Sequence, residues 1–171
     1  MKTLNNLLLC LTLFGLLTLT SCLDFCSPIK RPKDLQPINW ESYNDVKTVY
    51  WNCYTYCKDR DIIDYHSGKQ VKMYGWIFSA FDKYLDYGDF TLIDDSLLIH
   101  APNPSNASQV RIQCFNSEEL EGIKNKFETA DLTSKCYVHG VLSLPCLHQM
   151  GCSKTRVEIF IESADDIYFG K

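Results

Sequence analysis

The sequence lacks the short motifs that mark common catalytic sites. Its 171 residues contain no G-x-S-x-G, no H-E-x-x-H and no G-x-x-x-x-G-K, which are typical of serine hydrolases, zinc peptidases and phosphate-binding loops respectively. It also lacks solenoid repeats and low-complexity tracts. With 46% hydrophobic and 22% charged residues, the chain is predicted to form one globular domain that is not an enzyme.

An excess of basic residues is missing as well. The chain has 17 Lys and Arg against 21 Asp and Glu, which gives a formal net charge of −4. Binding to a nucleic-acid backbone depends on clustered Lys and Arg side chains. We therefore expect no nucleic-acid partner.

No apolar run is long enough for a comfortable transmembrane helix, which needs roughly 20 residues. The run from Leu7 to Leu19 follows a short segment with one positive charge, Lys2, and it ends in small residues. These features are typical of an export signal, although the A-x-A-like cleavage site of an ordinary secretory signal is missing.

The residues that close this leader, Leu19-Thr20-Ser21-Cys22, resemble a bacterial lipobox. The resemblance implies removal of a signal peptide over residues 1–21 and attachment of acyl chains to Cys22. The partner is then a bacterial membrane, expected to be the outer membrane, with the protein facing the periplasm or the surface. Several acyl chains make such anchoring effectively permanent. The alternative is an ordinary secretory signal with a chance cysteine.

Two segments precede the main domain. Residues 22–39 hold three of the six prolines and show no periodicity, which predicts a semi-extended tether. Residues 40–69 are predicted to form a helical extension, with Ser42-x-x-Asp45 as a capping box and a helix over 42–57. Its apolar stripe consists of Val46, Val49, Tyr50, Cys53, Tyr54 and Cys57.

Residues 70–171 alternate between apolar and polar side chains in five stretches. These are KQVKMYGWIFSAF, GDFTLIDD, VRIQCF, KCYVHGVLSL and TRVEIFIES, and each predicts a strand. Between the third and the fourth, Asn116-x-x-Glu119 offers a helix cap, and Leu120, Ile123 and Phe127 mark a helix that ends near Ala130. The predicted order is β-β-β-α-β-β.

The patterns V-x-M-x-G-W-I, F-T-L-I-D-D, V-R-I, V-x-G-x-L and V-E-I over residues 70–169 resemble an OB-fold. This is an all-β, five-stranded Greek-key barrel with one helix between strands three and four; one or two helices are expected in total. The resemblance implies a ligand face on strands two and three, beside loops 101–109 and 146–152. In this chain that face carries Thr91, Ile93, Arg111, Gln113 and Phe115.

The barrel geometry also predicts an apolar patch outside strands one and four. Tyr74 and Trp76 would lie near Tyr137, His139 and Val141, which is too much apolar surface to leave in water. We expect the helix of residues 42–57 to cover this patch. The alternative is an aromatic platform for a ligand.

Nine cysteines are present, and loss of Cys10 and lipidation of Cys22 would leave seven. An exported protein meets an oxidising compartment, so disulfides are expected. We predict a bridge between Cys146 and Cys152. Cys53 and Cys57 stand at a helical i, i+4 spacing that rarely suits a disulfide, so one of them can instead bond Cys26 or the loop. The inward-facing residues Cys114 and Cys136 are expected to be free thiols.

Two site alternatives remain. No cofactor is expected, but a zinc ion could be held by Cys53, Cys57, Cys146, His148 and Cys152, although their spacing is not that of standard zinc knuckles. Nucleases of the OB class need arginines and a glutamate near a metal-binding aspartate. Arg111, Arg156 and Glu158 leave such an arrangement open.

The combined prediction is a membrane-anchored, non-catalytic binding module of the bacterial envelope. The acidic charge and the predicted export favour a glycan or a protein as ligand. One alternative is a structural lipoprotein that works only through protein contacts. Another is a small periplasmic metal-binding protein or hydrolase.

Overall fold

The structure, a computed structural model, describes residues 28–78, 89–95, 108–149 and 152–170, with the backbone alone for residues 148, 149 and 152. The predicted signal peptide, Cys22 and most of loop 101–109 lie outside these ranges. Within the ranges, none of the helices has the length and hydrophobicity needed to cross a membrane.

The described chain forms nine strands and three α-helices. The strands are β1 Tyr43–Asp45, β2 Gln70–Ile77, β3 Asp89–Ile93, β4 Gln109–Cys114, β5 Lys135–Ser143, β6 Cys146–Gln149, β7 Cys152–Thr155, β8 Glu158–Ile161 and β9 Ile167–Gly170. The helices are α1 Val46–Cys53, α2 Arg60–His66 and α3 Leu120–Thr129. A 3-10 turn, Ala164–Asp166, precedes β9. The helix count therefore exceeds the expected one or two.

Five strands close into a barrel in the order β2-β3-β4-β8-β5 and back to β2. All neighbours are antiparallel except β4 and β8, which are parallel. Helix α3 lies between β4 and β5 in the chain, so the predicted β-β-β-α-β-β order and the OB-fold-like barrel are confirmed. Strands β1 and β9 extend the sheet beside β2 and β5, and β6 and β7 form a separate hairpin.

The barrel interior is filled by the predicted inward residues. In β2, Val71, Met73 and Ile77 are at most 2% exposed, because alternate side chains of a strand point to one face. At the inward position of Gly75, an added Cβ would overlap the side chain of Val46. Glycine therefore allows α1 to approach the inner face of β2.

Helix α1 is shorter than the predicted helix over 42–57. Asp45 is its N-cap, and its side chain accepts a hydrogen bond from the backbone N–H of Thr48 at 2.6 Å. The residues before it pair with β2 as a parallel strand, so they cannot be helical. The apolar stripe is correct where the helix exists, since Val46, Val49 and Cys53 are buried.

The helix also does not cover Tyr74 and Trp76, and this prediction is wrong. Helix α1 packs toward the inside of the barrel, where Gly75 leaves room. The outward tyrosines are covered by rings from the two added strands. Tyr168 of β9 stacks on Tyr137 with centroids 4.7 Å apart, and Tyr43 of β1 meets Tyr137 edge-on at 5.3 Å.

Helix α3 seals the barrel through Ile123 and Phe127, which are 1% and 5% exposed. The ring of Phe127 lies 4.9 Å from that of Phe90 in β3. The predicted cap at Asn116 differs in detail: its side chain accepts from the N–H of Glu118 at 3.1 Å, in a turn before the helix begins.

The predicted tether is partly packed. Ile38 is 8% exposed and belongs to the hydrophobic core. Asn39 and Asn44 exchange two hydrogen bonds of 2.8 Å, and the carbonyl of Gln36 accepts from Asn52 at 2.8 Å. The packed part of the chain therefore begins before residue 40.

Candidate binding site

Outward side chains of β3, β4 and β8 form one continuous surface, which we call the charged face. Cross-strand register places Thr91 beside Arg111 and Arg111 beside Glu158. In the next row, Asp89 lies beside Gln113 and Gln113 beside Phe160. The charged face consists of Asp89, Thr91, Arg111, Gln113, Phe115, Arg156, Glu158 and Phe160.

Arg111 is at the centre of a polar network. Its Nη2 forms an ion pair with Oδ2 of Asp89, and its Nη1 lies 4.0 Å from Oε1 of Glu158. With its amide oxygen turned toward Arg111, Gln113 accepts hydrogen bonds from Nε and Nη2, both at 3.2 Å. Three neighbours thus hold the guanidinium in one orientation.

Arg156 completes the network from the chain segment before β8. Its Nε and Nη2 both contact Oε1 of Glu158, and its backbone N–H donates to the carbonyl of Pro145 at 2.8 Å. The side chains of Asp89 and Glu158 are only 10% and 4% exposed. Carboxylates buried to this degree are stable only when they are paired. The ion pairs are therefore part of the folded structure itself.

An exposed aromatic side chain lies next to this network. Phe115 follows β4 on the same side as Gln113 and is 75% exposed. Its ring lies 5.0 Å from that of Phe160, tilted by 46°. The two rings form a small apolar surface that adjoins the polar network.

The structure brings Thr91, Arg111, Gln113 and Phe115 of the predicted ligand face onto this one surface, whereas Ile93 is fully buried and cannot contact a ligand. The role of the other four residues as ligand contacts stays a prediction. Sequence reasoning missed Asp89 and Phe160 as members of the face. Asp89 looks like a turn residue because it begins its strand, and only the register between β3 and β4 shows that it meets Gln113.

The predicted Cys146–Cys152 disulfide is wrong. Cys146 is bonded to Cys57, 89 residues away, with the two Cα atoms 5.7 Å apart. In the β6–β7 hairpin, Cys146 lies opposite Thr155 and Cys152 opposite Gln149. The two cysteines are therefore about 10 Å apart along the ladder, which is beyond the reach of a disulfide.

Cys57 reaches the hairpin because helix α1 ends before it. Its backbone N–H donates to the carbonyl of Ser153 at 2.9 Å, and Tyr56 forms an isolated bridge with Lys154. The alternative in which Cys57 bonds the loop is therefore the observed one. The disulfide fixes the hairpin that leads to Arg156 and the charged face.

The alternative zinc set does not assemble. Cys57 and Cys146 are bonded to each other, Cys53 is a buried free thiol, and the side chains of His148 and Cys152 lie outside the described atoms. Among the residues that the structure does describe, no three His, Cys, Asp or Glu side chains come together as a metal site. The arginines and Glu158 do converge, as the nuclease alternative requires, but guanidinium groups already occupy the carboxylates.

The remaining described cysteines are free and buried, as predicted for two of them. These are Cys53, Cys114 and Cys136. Burial raises the pKa of the Cys53 thiol to about 12, and it raises the pKa of Cys136 as well. Both are therefore protonated at neutral pH and poor nucleophiles.

Fold and surface together define an OB-fold-like barrel with a preformed polar and aromatic face. No protein-family model matches the chain, and neither does any curated protein. Among solved structures, the chain is similar to the crystal structure of a DUF3299 family protein from Pseudomonas aeruginosa PAO1, with 15% sequence identity and a TM-score of 0.34. The match covers 63% of this chain and 64% of the Pseudomonas protein. The chain therefore spans less than two thirds of the length of that protein.

Proposed function

We propose that the chain is a lipid-anchored envelope protein whose barrel is a non-catalytic binding module. The charged face is its ligand site, and the ligand is an envelope glycan or protein. The observation that supports this proposal most is the position of Phe115, 75% exposed beside a polar network that is already paired. An aromatic ring left in water next to fixed hydrogen-bonding groups is typical of a recognition surface.

The state of the carboxylates favours binding over catalysis. Asp89 is paired with Arg111, and Glu158 is paired with Arg156. A general base must be free to take a proton from a substrate, whereas these carboxylates hold arginines in place. Rigid positioning of donors reduces the entropy lost on binding.

The packed tether supports anchoring close to a membrane. The lipobox resemblance puts the acyl chains on Cys22, and the chain is part of the core from Ile38 onward. The 15 intervening residues make 16 Cα-to-Cα steps, which span at most about 55 Å when fully extended. The domain would therefore stay near the bilayer and engage ligands of the same envelope layer.

Two experiments test the proposal separately. Cys22→Ala should release the protein from the membrane fraction, and intact mass should lose the acyl chains; a Cys22→Ala protein that stays with the membrane contradicts the anchor. Phe115→Ala should abolish stabilisation by ligand while leaving the unliganded melting temperature unchanged. Tyr65→Ala, which removes another exposed ring that is 57% exposed, is the matched control.

A protein partner is the second candidate for the same face. Arginine and aromatic residues are enriched at the centres of protein interfaces, and Arg111, Arg156 and Phe115 supply both types. A photo-reactive phenylalanine analogue at position 115 should then crosslink to one defined envelope protein, and the same analogue at position 65 should not.

A further inference from the structure

The charged face also indicates what kind of ligand it accepts. Resting on the proposed function, we infer that this face binds an uncharged saccharide. One sugar ring packs on Phe115, and hydroxyl groups of the saccharide meet Gln113, Arg156 and Thr91. Three observations carry this inference: the charge balance, the remaining hydrogen-bonding groups and the paired phenylalanine rings.

The charges on the face cancel. Two arginines, Arg111 and Arg156, are paired with two carboxylates, Asp89 and Glu158. The carboxylates are the more buried partners, and they neutralise the guanidinium groups at contact distance. An anionic ligand would meet a nearly neutral surface and gain little from Coulomb attraction. The face is therefore unsuited to phosphates and to carboxylate-rich polymers.

The hydrogen-bonding groups that remain suit hydroxyls. The described contacts of Arg156 use Nε and Nη2, so its Nη1 is available, and its side chain is 38% exposed. The amide oxygen of Gln113 is turned toward Arg111, which leaves the amide nitrogen as a donor. Thr91 is half-buried, and a threonine hydroxyl can both donate and accept. Sugar hydroxyls do the same, whereas a phosphate oxygen only accepts.

The phenylalanine pair supplies the apolar part of the site. Phe115 and Phe160 are tilted by 46° with centroids 5.0 Å apart, so they form a shallow apolar corner. The C–H face of a pyranose ring is apolar and matches such a surface in size. Phe115 adjoins Gln113 on the same side of β4, so one sugar unit can contact both the ring and the amide.

The test compares neutral and acidic tetrasaccharides by titration calorimetry on the full chain. The neutral probes are tetramers of N-acetylglucosamine and of glucose, and the acidic probe is tetragalacturonate. At least one neutral tetramer should bind at least tenfold more tightly than tetragalacturonate. Phe115→Ala should weaken that binding by about tenfold, and Tyr65→Ala should leave it unchanged.

A charge variant separates ligand class from ligand binding. Asp89→Asn keeps the shape of the side chain but removes one negative charge, so the affinity for tetragalacturonate relative to that for the neutral tetramer should rise by about fivefold. If tetragalacturonate binds the unmodified face more tightly, the ligand class is wrong although the binding function stands. If no saccharide binds, the inference is overturned, and crosslinking from position 115 decides whether the binding function survives.

Discussion

Two outer faces of the same barrel use aromatic side chains in opposite ways. On the tyrosine face, formed by Tyr43, Tyr74, Tyr137 and Tyr168, rings contact one another across four strands at centroid distances of 4.7 to 5.8 Å. On the charged face, Phe115 is 75% exposed, and among the described residues its ring contacts that of Phe160 alone. A face rich in aromatic side chains can therefore be a packed structural layer. An aromatic ring that remains exposed, such as Phe115, is the better indication of a binding site.

The added strands explain the difference. Strands β1 and β9 lie beside β2 and β5 and bring Tyr43 and Tyr168 over the rings of the barrel strands. Lys135 adds its ammonium 4.8 Å from the centre of the Tyr74 ring. Among the described residues, no added strand extends the sheet over the charged face in this way. We therefore expect changes on the tyrosine face to affect stability and changes at Phe115 to affect binding.

The largest effect is expected from the disulfide beside the charged face. Replacing both Cys57 and Cys146 with serine opens a loop of 89 residues and should cost about 4 kcal/mol in the free energy of unfolding. Chemical denaturation with and without reductant measures it. Reductant should shift the midpoint of the unmodified protein and not that of the double variant. If the unmodified protein has the same denaturation midpoint with and without reductant, the Cys57–Cys146 disulfide is contradicted.

A smaller loss is expected on the tyrosine face. Tyr137→Ala removes the ring that stacks on Tyr168 and contacts Tyr43 and Tyr74, and should cost about 2–3 kcal/mol. Saccharide or partner affinity should be unchanged once the protein is folded. If Tyr137→Ala abolishes binding without lowering the melting temperature, the structural role of the tyrosine face is contradicted.

The charged face should also contribute to stability, through its network. Arg111→Ala leaves Asp89 buried without its partner and should cost about 2 kcal/mol. The Arg111→Ala and Asp89→Ala double variant should lose less than the sum of the two single losses, because the second change removes the orphaned charge. Additive losses in denaturation would show that the ion pair contributes little.

Alkaline pH should weaken the tyrosine face. Burial, with a hydrogen bond to Tyr168, raises the pKa of Tyr43 to about 12 from its ordinary 10. The folded protein favours the neutral phenol of Tyr43. Its contribution to the free energy of unfolding is therefore complete below pH 10 and is lost as the pH rises toward 12. Since Tyr43 is 36% exposed, solvent screening limits the loss to about 1 kcal/mol. Tyr43→Phe should reduce the slope of the stability profile between pH 10 and 12 without removing it, because burial also raises the pKa of Tyr50. Chemical denaturation of the variant and the unmodified protein across this range measures the difference.

The smallest stability effect is expected at Phe115. Because its ring is 75% exposed, Phe115→Ala should change the free energy of unfolding by less than about 0.5 kcal/mol. Denaturation curves of Phe115→Ala and Tyr137→Ala, measured side by side, give the sharpest form of the comparison. A loss at Phe115 as large as that at Tyr137 would mean that both faces are structural.

The interior of the barrel could be predicted, while the partners of several side chains could not. Val71, Met73, Cys136 and Val138 are buried as their alternation requires, because the side of a strand is set by position along the chain. The prediction that the helix of residues 42–57 covers Tyr74 and Trp76 is wrong. The predicted apolar stripe of this helix is correct where the helix exists. The stripe alone does not determine whether the helix packs against the barrel interior or against the outward aromatic patch.

The sequence by itself determined the five barrel strands, the helix between β4 and β5 and the burial of Cys114 and Cys136, since all of these follow from local periodicity. Only the tertiary structure decided that Cys146 bonds Cys57 and that Asp89, Arg111, Arg156 and Glu158 form one neutral network. These contacts join segments far apart in the chain, and their geometry depends on strand register and on where a hairpin packs. Short-range sequence patterns do not determine contacts between segments that are far apart in the chain.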